Sequence, residues 1–199
     1  QPTSKEDLNE KIEEKHVKEE EEEQKKRNKK SKLKVNYRRK SFKSIHDDLI
    51  VCLDIFAELG LIVTGSRDTT IRAWQIDDDE NIRLVQSYGG HSGSVTCVRF
   101  WCHADFMSFM EKLANSESEK VNEIEQENAR NILNEFNSDE SDKRPFIISS
   151  SLDCSIRIWC LEKAMCIKEI YMYNPVNHFC LCEASFAVGL TAGKLELWK

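Results

Sequence analysis

From about Val35 onward, the apolar positions fall in short runs separated by Gly, Asp, Asn or Ser. The runs are LIVCLDIF (49–56), LGLIVTGS (59–66), TTIRAWQI (69–76), IRLVQSY (82–88) and SVTCVRFW (94–101). After a break come FIISSS (146–151), CSIRIWCL (154–161), AMCIKEIYMY (164–173), HFCLCE (178–183), SFAVGL (185–190) and KLELWK (194–199). β-branched and aromatic residues dominate them and turn formers bound them, which predicts consecutive antiparallel strands joined by hairpins. Many runs are apolar at both odd and even positions, the pattern of sheets covered on both faces.

Two stretches depart from this texture. Residues 102–144 are polar and acidic, yet Phe106, Met110 and Leu113 fall on one helix face. Val121 with Ile124, then Ile132 with Phe136, predict a second apolar stripe. The segment reads as an inserted, partly helical loop of about 40 residues, a length that is usually functional or disordered. Its stripes either dock a partner's groove or pack on the flank of the strands. Ser138 and Ser141 sit among acids in NSDESD, as a phosphorylation candidate or as a solvated acidic loop. Residues 1–40 are the other exception. An acidic run, EEEEEQ, meets a basic run from Lys25, and Leu8, Ile12 and Val17 are too sparse for a heptad seam. Such a tail buries too little apolar surface to offset its ordering entropy, so it is expected to be disordered or a lone helix.

The strand-rich part repeats. Ser-x-Asp-x-x-Ile-Arg-x-Trp occurs at 66–74 and again at 151–159. His46 precedes Cys52 by six residues, His91 precedes Cys97 by six, and Asn174 precedes Cys180 by six. Cys52 to Trp74 spans 22 residues, and Cys97 to Trp159 spans 62, the same length plus an insert of 40. Cys180 to Trp198 spans 18, so the third unit is read as four residues short. GGHSGSVTCVRF followed by FIISSSLDCSIRIW, and SIHDDLIVCLDIF followed by LIVTGSRDTTIRAW, resemble the WD-repeat β-propeller family. The third unit, NHFCLCEASFAVGLTAGKLELW, resembles it weakly.

The resemblance implies one hydrogen-bonded network per blade. Its members would be His46, Thr64, Asp68 and Trp74 in the first unit and His91, Ser149, Asp153 and Trp159 in the second. Asp orients His, His bonds the hydroxyl, and the hydroxyl takes the indole N–H; buried polar groups must be paired. The third unit keeps only Trp198. Arg67 and Leu152, just before each Asp, are the candidate partner-facing residues, whereas Arg72 and Arg157 are expected to be structural. His91, Asp153 and Ser149 also have the residue types of a hydrolase triad. Their repetition as His46, Asp68 and Thr64 points instead to a structural role.

The expected architecture is therefore all-β. About three four-stranded antiparallel blades of a partial β-propeller occupy residues 41–199, interrupted at 102–144, behind the charged tail at 1–40. Three blades do not close a ring of the usual four to eight. The chain starts at Gln1 and stops one residue past Trp198. It is expected to be a piece of a larger propeller that aggregates or oligomerises when expressed alone.

Composition narrows the function. The chain has 199 residues, 32% charged, with a net charge of −6, and its apolar runs are too short to span a bilayer. Its eight cysteines form no Cys-x-x-Cys pair, so they are expected to be reduced, buried thiols of a cytoplasmic or nuclear protein rather than metal ligands. No phosphate-binding glycine pattern occurs. The reading is a non-enzymatic scaffold without cofactor or metal, with other proteins as partners. A substrate-recognition subunit of a ubiquitin ligase is one form, by analogy. The alternative is a nuclear RNA-processing or ribosome-assembly factor. It would use the ten Lys/Arg of Lys25–Lys40, which also read as an import signal or a solvated tail.

Overall fold

The computed structural model describes residues 39–116, 122–136 and 144–198. Most of the basic run, together with Val121, Ser138 and Ser141, lies outside the described residues. Residues 1–43 and 44–199 form separate units, and the architecture below is that of the second.

Three antiparallel sheets follow one another along the chain. The first contains β1 (Ile50–Phe56), β2 (Leu61–Ser66), β3 (Ile71–Ile76) and β4 (Ile82–Tyr88), paired in that order. The second contains β5 (Val95–Trp101), β6 (Phe146–Ser151), β7 (Ser155–Cys160) and β8 (Met165–Tyr171). The third has β9 (Val176–Cys182), β10 (Ser185–Leu190) and β11 (Leu195–Trp198). This succession of up-and-down sheets, each neighbour to the next, is a partial β-propeller.

The cores lie between blades. Leu61, Val63, Ile71 and Ala73 of the first blade meet Val98, Phe100, Ile147 and Trp159 of the second. On the other face of the second blade, Ile148, Ile156 and Ile158 meet Phe179, Phe186 and Val188 of the third. The middle strands of the second blade, β6 and β7, thus bury both faces, with only Arg157 half-buried.

The insert between β5 and β6 contains two helices, α1 (His103–Ala114) and α2 (Glu123–Phe136). Asn122 caps α2, its Oδ1 accepting the Glu125 N–H at 2.8 Å, and acidic Glu123 and Glu125 occupy the first turn. Phe106, Met107, Phe109 and Met110 of α1 and Ala129 and Ile132 of α2 join the core between the second and third blades. The stripes therefore pack on the propeller flank. One member departs from expectation: Ile124 is exposed, and Ala129, Ile132, Leu133 and Phe136 make the buried stripe instead.

Strand register corrects the sequence alignment of the third unit. Cys52 pairs with Gly65, Cys97 with Ser150, and His178 with Gly189. His178, not Cys180, thus takes the place of the repeated cysteine. The unit is two residues short rather than four, because Glu183 and Ala184 alone link β9 to β10 where four residues link β1 to β2. All eight cysteines are free, but only Cys97 and Cys160 are fully buried, and Cys180 and Cys182 are exposed. The latter two lie on a sheet that carries no further blade.

Candidate functional site

The most organised polar constellation lies inside the second blade, between strands. His91 Nδ1 is 2.8 Å from Asp153 Oδ2, and His91 Nε2 is 2.8 Å from Ser149 Oγ. Trp159 donates its indole N–H to the same Ser149 oxygen at 2.8 Å. A carboxylate only accepts, so Nδ1 carries the imidazole proton, and the Ser149 O–H donates to Nε2. The backbone N–H groups of Ser92 and Ser155 add donors to Asp153, at 3.0 Å each.

The first blade repeats this arrangement. His46 Nδ1 is 2.9 Å from Asp68 Oδ2, and His46 Nε2 is 2.7 Å from Thr64 Oγ1. Trp74 donates to Thr64 Oγ1 at 3.0 Å. The structure thus brings together, in two sets of four, the eight residues singled out from the sequence.

Each network has two further members that the sequence reading did not assign to it. Thr70 Oγ1 donates to Asp68 Oδ1 at 2.6 Å, and Ser155 Oγ donates to Asp153 Oδ1 at 2.7 Å. Ser66 and Ser151 accept the N–H of Asp68 and Asp153, both at 3.1 Å. The signal was present, since both copies of the motif place hydroxyls two residues before and two after the Asp. These bonds close a tight turn whose third residue is left-handed, Thr69 at φ 73° and Cys154 at φ 66°. Such a φ is costly for a side chain with a Cβ, and the Asp side chain holds the backbone there.

The third blade makes the same turn without the network. Gly193 occupies the left-handed position at φ 72°. By strand register, Val188 stands where Ser149 does, and Ala192 stands where Asp153 does. Counted back from the β-bulge in the first strand, Met172 rather than Asn174 holds the histidine's place, four residues before Val176 as His91 is before Val95. Met172 and Val188 are buried in one apolar cluster. All three polar members are replaced together. Exchanging the whole set is tolerable where leaving one partner alone is not. Trp198 then stacks on Phe186, ring centroids 5.7 Å apart.

Burial and hydrogen bonding set the titration of these groups. Desolvation pushes the His91 imidazole below its ordinary value, against the pull of Asp153. Burial would raise Asp153, but the hydrogen bonds from Ser155 and His91 outweigh it and hold the carboxyl below the usual range. Asp68 is likewise lowered, its burial overcome by bonds from Thr70, Asp47 and His46. A group with a lowered folded value takes its proton first in the unfolded chain. The His91 contribution is therefore present above about pH 6.5 and lost as pH falls below it, and the carboxylate contributions are lost below about pH 4. Thermal melts between pH 8 and pH 3.5 should show a midpoint that is flat near neutrality and falls in these two stages. A midpoint that rises between pH 7 and pH 5 would contradict the assignment.

Ser149 is fully buried with an indole on its oxygen, so it offers substrate no nucleophile. Among the described residues no cluster of His, Cys, Asp or Glu could hold a metal, and no helix is long and apolar enough to cross a membrane. Arg72 donates to the Ile45 carbonyl at 2.6 Å, whereas Arg157 pairs with Glu169 at 2.8 Å. The Arg157 guanidinium lies against Gly90, at φ 151°, where a Cβ would come within about 2.4 Å of it. That is why the second unit needs its Gly there and the first accepts Ile45. Arg67 and Leu152 are both exposed on the turns before the Asp.

The site therefore defines a protein of stacked β-blades, each of the first two pinned by a His–hydroxyl–Asp–Trp network. A family model described as "WD domain, G-beta repeat" matches residues 39–75 and 139–160. The chain is 33% identical over 100 residues to the WD repeat-containing protein pop1 of Schizosaccharomyces pombe, covering 50% of this chain and 10% of that protein. Over 61 residues it is 39% identical to Proteasomal ATPase-associated factor 1 of Homo sapiens, covering 31% of this chain and 15% of that one. The Gallus gallus protein of the same name is 41% identical over the same length. The chain thus spans a small part of each of these relatives.

Proposed function

We propose that this chain is one arc of a larger propeller that serves as a rigid protein-binding scaffold, its partner seated on the rim that carries Arg67 and Leu152. The observation that carries this reading is the construction of the two turns. Each is fixed from beneath by the Asp network, yet holds an outward side chain immediately before the Asp. Arg67 is aimed by a two-pronged contact with Asp48, at 2.9 and 3.0 Å, and Leu152 is an exposed apolar residue on a turn that cannot relax to hide it. Pre-ordered side chains lose little entropy on binding. WD-repeat scaffolds that recognise ubiquitin-ligase substrates fit this description. Because two of the similar proteins are named for association with proteasomal ATPases, a proteasomal ATPase is the first partner to test.

The double variant Arg67→Ala/Leu152→Ala should lose co-precipitation of its protein partner at least tenfold while its melting temperature stays unchanged. Capture that survives this change, or that vanishes on nuclease treatment of the wild type, would reject the rim as a protein-binding site.

A further inference from the structure

The rim carries a second exposed feature, at the crossing from the second blade to the third. Tyr171 closes β8, and Tyr173 follows it on the way to β9. They are 69% and 89% exposed, and their rings stand edge to face with centroids 6.3 Å apart and planes at 79°. At the preceding crossing Gly90 comes just before His91, whereas here Tyr171 comes just before Met172, so two large rings stand where the other crossing has none.

The backbone under the rings is fixed. Met172, between them, is 1% exposed in the core shared by the second and third blades. Its N–H donates to the Cys154 carbonyl at 2.7 Å, and Tyr171 pairs with Ser155 across the β7–β8 ladder. Cys154 belongs to the turn that presents Leu152, so that residue and the two tyrosines share one rigid support. A side chain with only two rotatable bonds on such a support loses little entropy when a partner covers it.

The chemistry of the patch selects its occupant. Leu152, Tyr171 and Tyr173 are flanked by Cys154, Asn174 and Pro175, none of them charged. Asp153 turns its carboxylate inward to His91, and Glu169, two residues before Tyr171, is paired with Arg157 at 2.8 Å. Phosphates therefore find no free cation here, and a lysine-rich segment finds no free carboxylate. Strand addition needs a strand edge, but Tyr173 lies beyond the end of β8. Two rings at nearly right angles instead form a notch for a compact, rigid apolar ring. Neither tyrosine hydroxyl has a partner among the described residues, so both are available to donate. A polyproline II segment supplies both complements: pyrrolidine rings, and backbone carbonyls that no internal hydrogen bond satisfies.

We propose that Tyr171 and Tyr173 are the part of the rim that takes a proline-rich segment of the protein partner, held in the polyproline II form. This rests on the rim reading above and adds to it the kind of segment that lies beside Leu152.

The test is isothermal titration calorimetry on the full 199-residue chain with decaproline as the probe. Decaproline should bind saturably and a glycine–serine decapeptide should not. Tyr171→Ala and Tyr173→Ala should each weaken decaproline binding about tenfold, the loss expected for an aromatic anchor. Their melting temperatures should be unchanged, because both rings are exposed. Arg67→Ala, in the first blade, should bind decaproline as the wild type does. A wild type that ignores decaproline, binding that survives both alanine variants, or a lysine-rich or amphipathic helical decapeptide that binds more tightly than decaproline would each overturn the proposal. Where co-precipitation of the partner still depends on Arg67 and Leu152, those results reject the proline-rich segment alone. Co-precipitation that survives the Arg67→Ala/Leu152→Ala variant is instead the failure of the rim reading itself.

Discussion

Trp101→Ala is expected to destabilise the 44–199 unit by about 3–5 kcal/mol, the range for removing a large aromatic from a core. Trp101 ends β5 and is 1% exposed. It joins three parts of the structure at once. Its ring lies 5.6 Å from Phe106 and 5.2 Å from Phe109 of α1, and 6.0 Å from Phe186 of the third blade. Its indole N–H donates to the Glu183 carbonyl at 3.0 Å. Truncation leaves a cavity between two rigid sheets and a helix, none of which can collapse into it without breaking other contacts. It also strips the carbonyl of its donor. Urea unfolding monitored by circular dichroism measures the effect. A loss below 1 kcal/mol would mean that the insert helices are not docked on the blades.

Asp153→Ala should cost about 1–3 kcal/mol, the penalty for stranding buried polar partners. The carboxylate accepts from the His91 ring, the Ser155 hydroxyl and two backbone N–H groups. Alanine satisfies none of these. The third blade makes the point in reverse: Ala192 stands at the aspartate's place there, and Met172 and Val188, at the places of the histidine and the serine, present no side-chain donor that needs it. A single substitution in the second blade cannot reproduce that, since it removes one partner and keeps the rest.

The blades were legible in the sequence because propeller strands are local. Each pairs with its immediate neighbour, so run boundaries and turn residues suffice, and β4, β6 and β10 begin and end where their apolar runs do. The networks were legible because Asp, Trp and hydroxyl recur at fixed spacing in two copies. The third unit misled where the signal was positional counting. A two-residue hairpin at Glu183 and Ala184 shifted the frame, and Cys180 and Asn174 fell at plausible but wrong places. Only hydrogen-bond register identifies His178 and Met172 as the equivalents. Burial of the insert was half legible. The spacing of Phe106, Met110 and Leu113 marks a helix face, but Met107 and Phe109 are buried as well: Phe109 meets Trp101 of β5 and Phe186 of β10, and α2 packs along α1.

That the polar groups of each blade act as one unit, rather than as separate contacts, is tested most directly by a double-mutant cycle. Stabilities of the wild type, His91→Ala, Asp153→Ala and the double variant would be taken from urea unfolding at pH 7.5. The double variant should cost little more than the worse single one, with a coupling energy of about 0.5–3 kcal/mol. Losses that simply add would contradict the network.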